Sequence, residues 1–378
     1  MKILDNVFFE QKTALYFKGR RITPYAYDKC DSKYGIIVMQ RGNIIDVYSY
    51  ETGEKLYYLV GVDSFKIEKD VIILSDGRYY GIRTHDGRVI LGPKYSSITN
   101  CNGYLKVVDY RGNMGVYLWK YDELSEIIKP DKYTDIRVHD DGIMVYKKVD
   151  EQVVKGYYSL NGDMIIEPKY TEISFASYGI RVMTSEDKIG LYSYSGKQII
   201  PPLYDEIITA NNSFIVLTNL KNNRSQVGLY NAEGEKLLES RYDKFYRMSP
   251  YCVFEKGILC CLYDMLTGKR ILSLKYKHIN RYYNAIYATE DFKTFSIYSG
   301  KTGKKLLEDK FETVKIYAPF ILSVVKNGKP YYYLTLHNML VDSEKYNVEY
   351  SDEYKEVLIG KRDKEKKVLF TEWLNKQS

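Results

Sequence analysis

The chain has 378 residues, with 56 basic and 49 acidic side chains that give a net charge of +7, and 41 of its residues are tyrosine. Hydrophobic residues at 45% and charged residues at 28% are ordinary values for a globular protein, which excludes a disordered or collagen-like chain. The small positive charge favours solubility and does not by itself indicate a nucleic-acid partner.

The sequence carries no membrane signal and no disulfide pattern. No stretch of about eighteen apolar residues is free of charges, so we predict no transmembrane helix and no membrane partner. The opening residues MKILDNVFFEQK lack the apolar run of a signal peptide, and we expect a cytoplasmic protein. Five cysteines without a Cys-x-x-Cys pair favour reduced thiols in the core.

One motif recurs along the chain at spacings of 34 to 38 residues. Each copy is anchored on a small turn residue, an aliphatic residue follows three positions later, and an aromatic residue follows eight positions later in every copy but one, which has Gly61. The anchors are Gly19, Gly53, Gly87, Ser125, Gly162, Gly196, Gly234, Gly268, Gly303 and Asn338. The aromatic residues are Tyr27, Tyr95, Tyr133, Tyr170, Tyr204, Tyr242, Tyr276, Phe311 and Tyr346. A tandem β-repeat protein is the interpretation that this periodicity favours.

Each copy predicts a three-stranded antiparallel meander. In one copy, residues 180–183, 189–192 and 198–200 form the strands, and the anchor glycine provides the hairpin turn between the last two. Prolines five or six residues after an anchor, such as Pro24 and Pro93, should end the last strand. Because one meander cannot bury both of its faces, the recurring aliphatic and aromatic residues should form a core shared between neighbours.

The predicted fold is therefore all-β, with about ten repeats in a single array over residues 1–350. Residues 351–378 should form a partial eleventh repeat and a C-terminal cap, with a helical turn around Trp373. The array could be β-propeller-like, closed by residues 1–4, or an open superhelix capped by the charged hairpin at residues 361–367. The propeller-like arrangement is the one we favour.

The copy IGLYSYSGKQIIPPLYDEI, at residues 189–207, resembles the bacterial WG (KWG-type) repeats. Their consensus combines Trp-Gly, a Gly-Lys turn, two aliphatic residues and Pro-Pro-x-Tyr-Asp. The chain departs from it at the tryptophan: the residues before Gly81, Gly115, Gly156, Gly190 and Gly228 are Tyr80, Met114, Lys155, Ile189 and Val227. The resemblance implies a divergent array of β-rich, propeller-like repeats with no assigned catalytic role.

No catalytic, cofactor-binding or metal-binding pattern emerges. The four histidines, His85, His139, His278 and His337, are too far apart in sequence for a His-x-x-x-His pair. The SGKTGKK stretch at residues 299–305 lacks the earlier glycine of a phosphate-binding loop and lies at a hairpin turn. We therefore expect neither enzymatic activity nor a cofactor.

Two features are candidates for an interaction surface. Basic and aromatic residues interleave between residues 266 and 289, which could suit single-stranded nucleic acid or an acidic protein face, or could simply be outward strand positions. Tyrosines outside the repeat register could serve protein contacts or sugar stacking. The candidate residues are Lys269, Arg270, Lys275, Lys277, Arg281, Tyr282, Tyr283, Tyr331, Tyr332 and Trp119.

The leading functional hypothesis is a non-enzymatic scaffold or adaptor that binds a protein partner through loops and tyrosines. The alternatives are a lectin-like glycan binder, an immunity protein that neutralises a toxin, and a weak nucleic-acid binder. Eight tyrosines fill one repeat position and six more precede hairpin turns, so the other 27 are those expected to contact a partner.

Overall fold

The computed structural model describes residues 4–9, 12–17, 20–23, 27–219, 225–364 and 367–375. Two compact units divide the chain: the first comprises residues 1–175 and 194–196, and the second comprises residues 176–193 and 197–378. Both consist of antiparallel strands joined by tight turns, and the one helix in the described residues is short and C-terminal. The anchor Gly19 and Pro24 lie outside the described residues.

The first unit contains a three-stranded sheet, β1–β3, and the four-stranded sheets β4–β7, β8–β11, β12–β15 and β16–β19. Its strands are β1 (Leu4–Phe9), β2 (Lys12–Phe17), β3 (Arg20–Arg21), β4 (Lys29–Lys33), β5 (Ile36–Arg41), β6 (Ile44–Ser49), β7 (Lys55–Val60), β8 (Ser64–Ile67), β9 (Val71–Ser75), β10 (Tyr80–Thr84), β11 (Val89–Tyr95), β12 (Ser97–Cys101), β13 (Tyr104–Val108), β14 (Met114–Lys120), β15 (Glu123–Tyr133), β16 (Asp135–His139), β17 (Gly142–Val149), β18 (Gln152–Tyr158) and β19 (Met164–Tyr170). The strand β20 (Glu172–Ala176) lies at the division between the units.

The second unit contains the strands β21 (Gly179–Met183), β22 (Ile189–Tyr192), β23 (Gln198–Tyr204), β24 (Glu206–Ala210), β25 (Ser213–Asn219), β26 (Ser225–Asn231), β27 (Lys236–Tyr242), β28 (Lys244–Met248), β29 (Tyr251–Lys256), β30 (Leu259–Asp264), β31 (Arg270–Tyr276), β32 (His278–Tyr282), β33 (Ala285–Thr289), β34 (Phe295–Ser299), β35 (Thr313–Ala318), β36 (Ile321–Lys326), β37 (Lys329–Leu334), β38 (Met339–Asp342), β39 (Tyr346–Ser351), β40 (Glu356–Lys361) and β41 (Val368–Leu369), and the helix α1 (Phe370–Asn375). Four strands form each of the sheets β24–β27, β28–β31 and β35–β38, and three form each of β32–β34 and β39–β41.

The prediction of tandem antiparallel β-repeats is confirmed, but three strands per repeat is wrong. The residues just after the recurring aromatic, such as Ile98, begin a separate first strand that pairs with the second. The short turn after the aromatic allows this extra strand to belong to the next sheet. Each full sheet is thus a meander in which every strand pairs with its neighbours in sequence.

The repeat prolines lie inside the last strand of their sheet rather than at its end, which corrects the expectation that they stop it. In β23, Leu191 pairs with Ile200 and Ile189 pairs with Tyr204, so three residues that include Pro201 and Pro202 stand opposite Gly190 alone. The strand therefore continues through a β-bulge, where proline is tolerated because the ladder is already interrupted.

The bulge explains the glycine that stands at the Gly of the Trp-Gly consensus, which we call the Trp-Gly glycine. A Cβ atom on Gly190 would lie 2.9 Å from the Pro202 nitrogen and 3.0 Å from the Ile200 carbonyl oxygen. Gly81, Gly115, Gly156 and Gly228 make comparably close approaches, between 2.6 and 2.9 Å, to their own last strands. The bulged strand therefore requires a residue without a side chain at this position.

The anchor glycines join each repeat to the preceding one. Gly196 and Gly234 have φ angles of 84° and 90°, and a Cβ on either would lie 2.8 or 2.9 Å from a carbonyl oxygen of the previous repeat. Asn338, with φ 53°, instead donates from Nδ2 to the Leu306 carbonyl at 3.3 Å. Turn geometry and contact between repeats thus both restrict the anchor.

The recurring aromatics are core residues, as predicted: Tyr27, Tyr95, Tyr133, Tyr170, Tyr204, Tyr242, Tyr276 and Phe311 are all buried. The aliphatic three positions after the anchor is less buried than expected, and Leu56 is 46% exposed. The side chain one position later is the deeper one in several repeats, as at Ile166 and Ile200. In those repeats the deepest aliphatic lies one residue beyond the predicted position, whereas Ile128 and Val341 are buried at the predicted position itself.

Tyrosine pairs close the core between consecutive sheets. The hydroxyls of Tyr133 and Tyr158 lie 2.6 Å apart, and those of three further pairs lie 2.8 to 3.1 Å apart. The rings of each pair meet edge to face with centroids 5.9 to 6.3 Å apart. The further pairs are Tyr95 with Tyr117, Tyr204 with Tyr230, and Tyr276 with Tyr298. Each hydroxyl thereby gains a partner that offsets its burial.

Candidate interaction surface

A row of four aromatic rings crosses three successive sheets of the second unit, and we call it the aromatic row. Its members are Tyr282, Tyr283, Phe320 and Tyr350. Consecutive ring centroids lie 4.8, 4.1 and 4.9 Å apart. The rings come from the end of β32, the β32–β33 turn, the β35–β36 turn and β39, so the row depends on the stacking of all three sheets.

Two members of the aromatic row hold an unusual backbone conformation. Tyr283 has φ 51° and Phe320 has φ 60°, in the left-handed region that bulky side chains avoid. Asn102 and Asn211 occupy the same turn position as Tyr283 in other sheets, with φ 53° and 54°. Such a conformation costs about 1 to 3 kcal/mol and tends to be found at functional sites. Tyr34, Tyr121 and Phe292 also have positive φ. The feature that distinguishes Tyr283 and Phe320 is the contact between their rings.

The surface beside the aromatic row is apolar and exposed. Tyr283 is 45% exposed, and Ile316 and Tyr317 on β35 are 55% and 50% exposed. Tyr317 packs on the buried Tyr332, with ring centroids 4.6 Å apart. Aromatic side chains that are anchored on one side and exposed on the other are typical of protein interfaces.

A positive charge borders the aromatic row. Arg281 lines a cleft of about 360 Å³ together with Met248, Ser249, Tyr282 and Tyr283. Its guanidinium donates to the Ser249 carbonyl oxygen and lies 5.2 Å from the Tyr251 ring. Its Nε is buried and makes no hydrogen bond to any described residue. Arginine has five N–H groups, so the remaining guanidinium donors of Arg281 can serve an acceptor that enters the cleft.

The structure separates the other predicted basic residues from this cleft. Lys269 and Arg270 are exposed at the start of β31, and Lys275 on the same strand forms an ion pair with Glu290 at 2.8 Å. Lys277 lies 5.7 Å from the Phe292 ring. Lys277 precedes Arg281 by four positions, and this spacing corresponds to about 13 Å along a strand. The basic run is thus not one compact charged patch.

Tyr331 and Tyr332 lie on opposite faces of β37 and pack into the cores on either side of it. Tyr332 is 7% exposed, so its ring mainly supports Tyr317. Several other tyrosines outside the repeat positions are also buried, among them Tyr157, Tyr251, Tyr287 and Tyr333. Register alone therefore does not identify the tyrosines that are free to bind a partner.

Trp119 belongs to the first unit, whereas the other nine predicted residues belong to the second. It lines a polar cleft of about 660 Å³ with His85, Asp86, Arg88 and Tyr121, among others. Tyr121 is 85% exposed, and the Arg88 guanidinium lies 5.5 Å from the Trp119 ring. His85 Nε2 lies 3.0 Å from the Glu68 carbonyl oxygen. The cleft combines two aromatic rings with charged side chains.

Sequence reasoning found Arg281, Tyr282 and Tyr283 but missed Phe320, Tyr350, Ile316 and Tyr317. The available signal was an aromatic residue in a tight turn, as at Tyr283-Asn284 and Pro319-Phe320. Turns of this kind favour Gly, Asn or Asp, and an aromatic residue there has no local structural reason. The contact between the two turns depends on tertiary structure.

Within the described ranges, no group of three or more His, Cys, Asp or Glu side chains is placed to hold a metal ion. No helix in the described part of the chain is long and apolar enough to cross a membrane. All five cysteines are free thiols, and burial raises the pKa of Cys252 to about 12. The thiol therefore stays protonated, which makes it unreactive.

Comparison with known proteins gives one family. Residues 156–180 and 189–216 match the WG containing repeat. Both segments contain the Trp-Gly glycine, and the second also contains the bulged strand with its two prolines. The chain is thus a tandem β-repeat protein in which two segments match the WG containing repeat. A search of curated proteins returns no match.

Solved structures match over long stretches at low similarity. A computationally designed protein, Ika8, is 12% identical, and the match covers 71% of this chain and 95% of that one, with a TM-score of 0.23. A eukaryotic initiation factor is 9% identical over 82% of this chain and 97% of its own, with a TM-score of 0.29. PorZ of Porphyromonas gingivalis is 10% identical over 95% of this chain and 57% of its own, with a TM-score of 0.25. Scores this low carry no functional argument.

Proposed function

We propose that the chain is a non-enzymatic interaction scaffold that binds a protein partner through the aromatic row and Arg281. The observation that carries this proposal is the contact between Tyr283 and Phe320, two exposed or half-exposed rings in the left-handed conformation. The fold holds them there against their backbone preference, which preorganises the rings for binding. The partner should offer apolar groups to the rings and a carboxylate to the arginine.

The proposed scaffold extends the WG-type repeat to the whole array. The glycines at the bulge and at the anchor, together with the tyrosine pairs, recur well beyond the two matched segments. These positions serve packing, which leaves the turns free to vary and to bind. We propose a cytoplasmic, bacterial protein on the strength of the composition and the repeat type.

We expect Tyr283→Asn to abolish partner binding without unfolding the protein. Asparagine adopts the left-handed conformation at a lower energetic cost than tyrosine, and this gain offsets the loss of the ring contacts. The free energy of unfolding should therefore change by no more than about 1 kcal/mol. The measurement is quantitative affinity capture from native lysate with wild-type and variant chains as bait, alongside their thermal unfolding.

Tyr34→Asn is the matched control for this substitution. Tyr34 is 57% exposed with φ 50° at the equivalent turn of the first unit, whereas the aromatic row belongs to the second. A partner that binds wild type and the Tyr34 variant in stoichiometric amounts, and not the Tyr283 variant, supports the proposal. Equal capture by all three baits, or capture of nothing, contradicts it. The identity of the captured protein also decides between an adaptor and a toxin-neutralising immunity protein.

A second candidate function is glycan binding in the Trp119 cleft. Exposed aromatic rings beside charged and hydroxyl-bearing side chains suit sugar faces and their hydroxyl groups. We expect a glycan array to show signals with wild type that Trp119→Ala removes while Tyr283→Asn retains them. An array that stays silent with the wild-type chain would eliminate this candidate.

The nucleic-acid alternative has less support. Lys275 is paired with Glu290, and Arg281 is bonded to the Ser249 carbonyl. Lys275 would have to break its ion pair before it could bind a phosphate. The remaining donors of Arg281, together with Lys269 and Arg270, supply only a weak electrostatic attraction.

A further inference from the structure

One junction in the first unit lacks the tyrosine pair that closes the core at four other junctions. The recurring aromatic is replaced there by Gly61, eight residues after the anchor Gly53. Its partner position, two residues after the Trp-Gly glycine, holds tyrosine at Tyr117, Tyr158 and Tyr230 but Arg83 here. Both rings are therefore missing between the sheets β4–β7 and β8–β11.

A cavity occupies the place of the missing rings. It has a volume of about 170 Å³ and is lined by both replaced positions, Gly61 and Arg83. A Cβ atom on Gly61 would meet nothing within 4 Å. Leu74, Ile82 and Leu91 supply apolar walls, and all three are buried. An apolar cavity of about 150 Å³ is large enough to hold a benzene ring, so this one can hold one small aromatic molecule.

The polar groups of the cavity favour a neutral phenol. The Arg83 guanidinium donates from Nη1 to the Gly87 carbonyl oxygen at 2.6 Å, and arginine has five N–H groups. It can therefore also donate to a hydroxyl oxygen placed where the other junctions hold a tyrosine hydroxyl. Asp76 lies in the same lining, and its carboxylate accepts from the backbone N–H groups of Arg78 and Tyr79. That negative charge disfavours an anionic ligand.

We propose that this cavity, which we call the phenol pocket, binds a single phenol ring whose hydroxyl accepts a hydrogen bond from Arg83. The ligand's ring takes the place of the absent tyrosine. It fills the core between the two sheets as the tyrosine pairs do at the other four junctions. The ligand is either a free para-substituted phenol or a tyrosine side chain of a peptide, and both present the same chemistry. The phenol pocket belongs to the first unit, whereas the aromatic row belongs to the second.

The test is a titration of the full chain with p-cresol, toluene and N-acetyltyrosine amide, followed by ligand-observed NMR. We expect saturable p-cresol binding with a dissociation constant of about 1 mM, as befits so small a ligand. Toluene lacks the hydroxyl and should bind about fivefold more weakly. Binding of the tyrosine amide would indicate a peptide source, and its exclusion would indicate a free small molecule.

Two substitutions of Arg83 test whether its side chain is the hydrogen-bond donor of the phenol pocket. Arg83→Met removes the donor but keeps the volume open, so p-cresol and toluene should bind equally. Arg83→Tyr restores the ring found at the other junctions, so it should fill the pocket, abolish binding of both ligands and raise the melting temperature. Absence of saturable p-cresol binding by wild type, or binding unchanged in Arg83→Tyr, would overturn the proposal. Neither outcome bears on the aromatic row.

Discussion

Gly115→Ala is expected to lower the free energy of unfolding by about 3 kcal/mol. An alanine Cβ would lie 2.7 Å from the Ile128 carbonyl oxygen and 2.7 Å from both the nitrogen and the Cδ of Pro130. These atoms belong to the bulged part of β15, where the residues between Ile128 and Tyr133 stand opposite Gly115 alone. Backbone and proline ring atoms cannot rotate away, so the strand must move. Urea unfolding followed by circular dichroism measures the loss.

Gly92→Ala is the matched control for this prediction. Gly92 lies in the bulged strand of the neighbouring repeat, and an added Cβ there would meet nothing within 4 Å. Its replacement should leave stability unchanged or raise it by up to about 1 kcal/mol, because alanine restricts the unfolded chain. Equal destabilisation by the two substitutions would contradict the steric account of the Trp-Gly glycine.

The protein is expected to unfold cooperatively above pH 10. Burial and the neighbouring hydroxyl raise the pKa of Tyr117, Tyr133, Tyr230 and Tyr276 well above the ordinary value of 10.0. In the unfolded chain these tyrosines lose their protons from about pH 10, whereas in the folded chain they keep them. Their contribution to stability is therefore complete below pH 10 and is lost as the pH rises towards the folded pKa.

The expected size of this effect is large. Each such tyrosine lowers the free energy of unfolding by about 1.4 kcal/mol per pH unit once the unfolded chain ionises, so four together give about 5 to 6 kcal/mol per unit. A typical domain has only about 5 to 15 kcal/mol of stability. Urea titrations at several pH values between 9 and 12 measure the slope. Constant stability over that range would contradict the prediction.

The repetition of sequence signals made the fold predictable. Glycines, aliphatic residues and tyrosines at a fixed spacing defined the repeat because each of them serves the same contact in every copy. The fourth strand was missed because residues 97–101 follow the tyrosine without a strong turn signal, and the bulge was missed because proline was taken to end a strand. Both errors concern the backbone register between neighbouring strands, which the pattern of side chains does not specify.

The candidate surface was only partly predictable for a related reason. Arg281, Tyr282 and Tyr283 are adjacent in sequence, so a local search found them, whereas Phe320 and Tyr350 join them only when three sheets stack. Tyr331 and Tyr332 lay outside the repeat register and yet are packed into the cores, because β37 is covered on both faces. Exposure is a property of the folded array, and composition gives no information about it.

Hydroxyl-bonded tyrosine pairs hold consecutive repeats together. The most direct measurement is the alkaline slope of unfolding free energy in wild type, Tyr230→Phe and the double variant Tyr133→Phe/Tyr230→Phe. Each substitution removes one tyrosine whose pKa is raised by burial and by its partner's hydroxyl. The slope should therefore fall in two equal steps of about 1.4 kcal/mol per pH unit. A slope that is the same in all three proteins would contradict the claim.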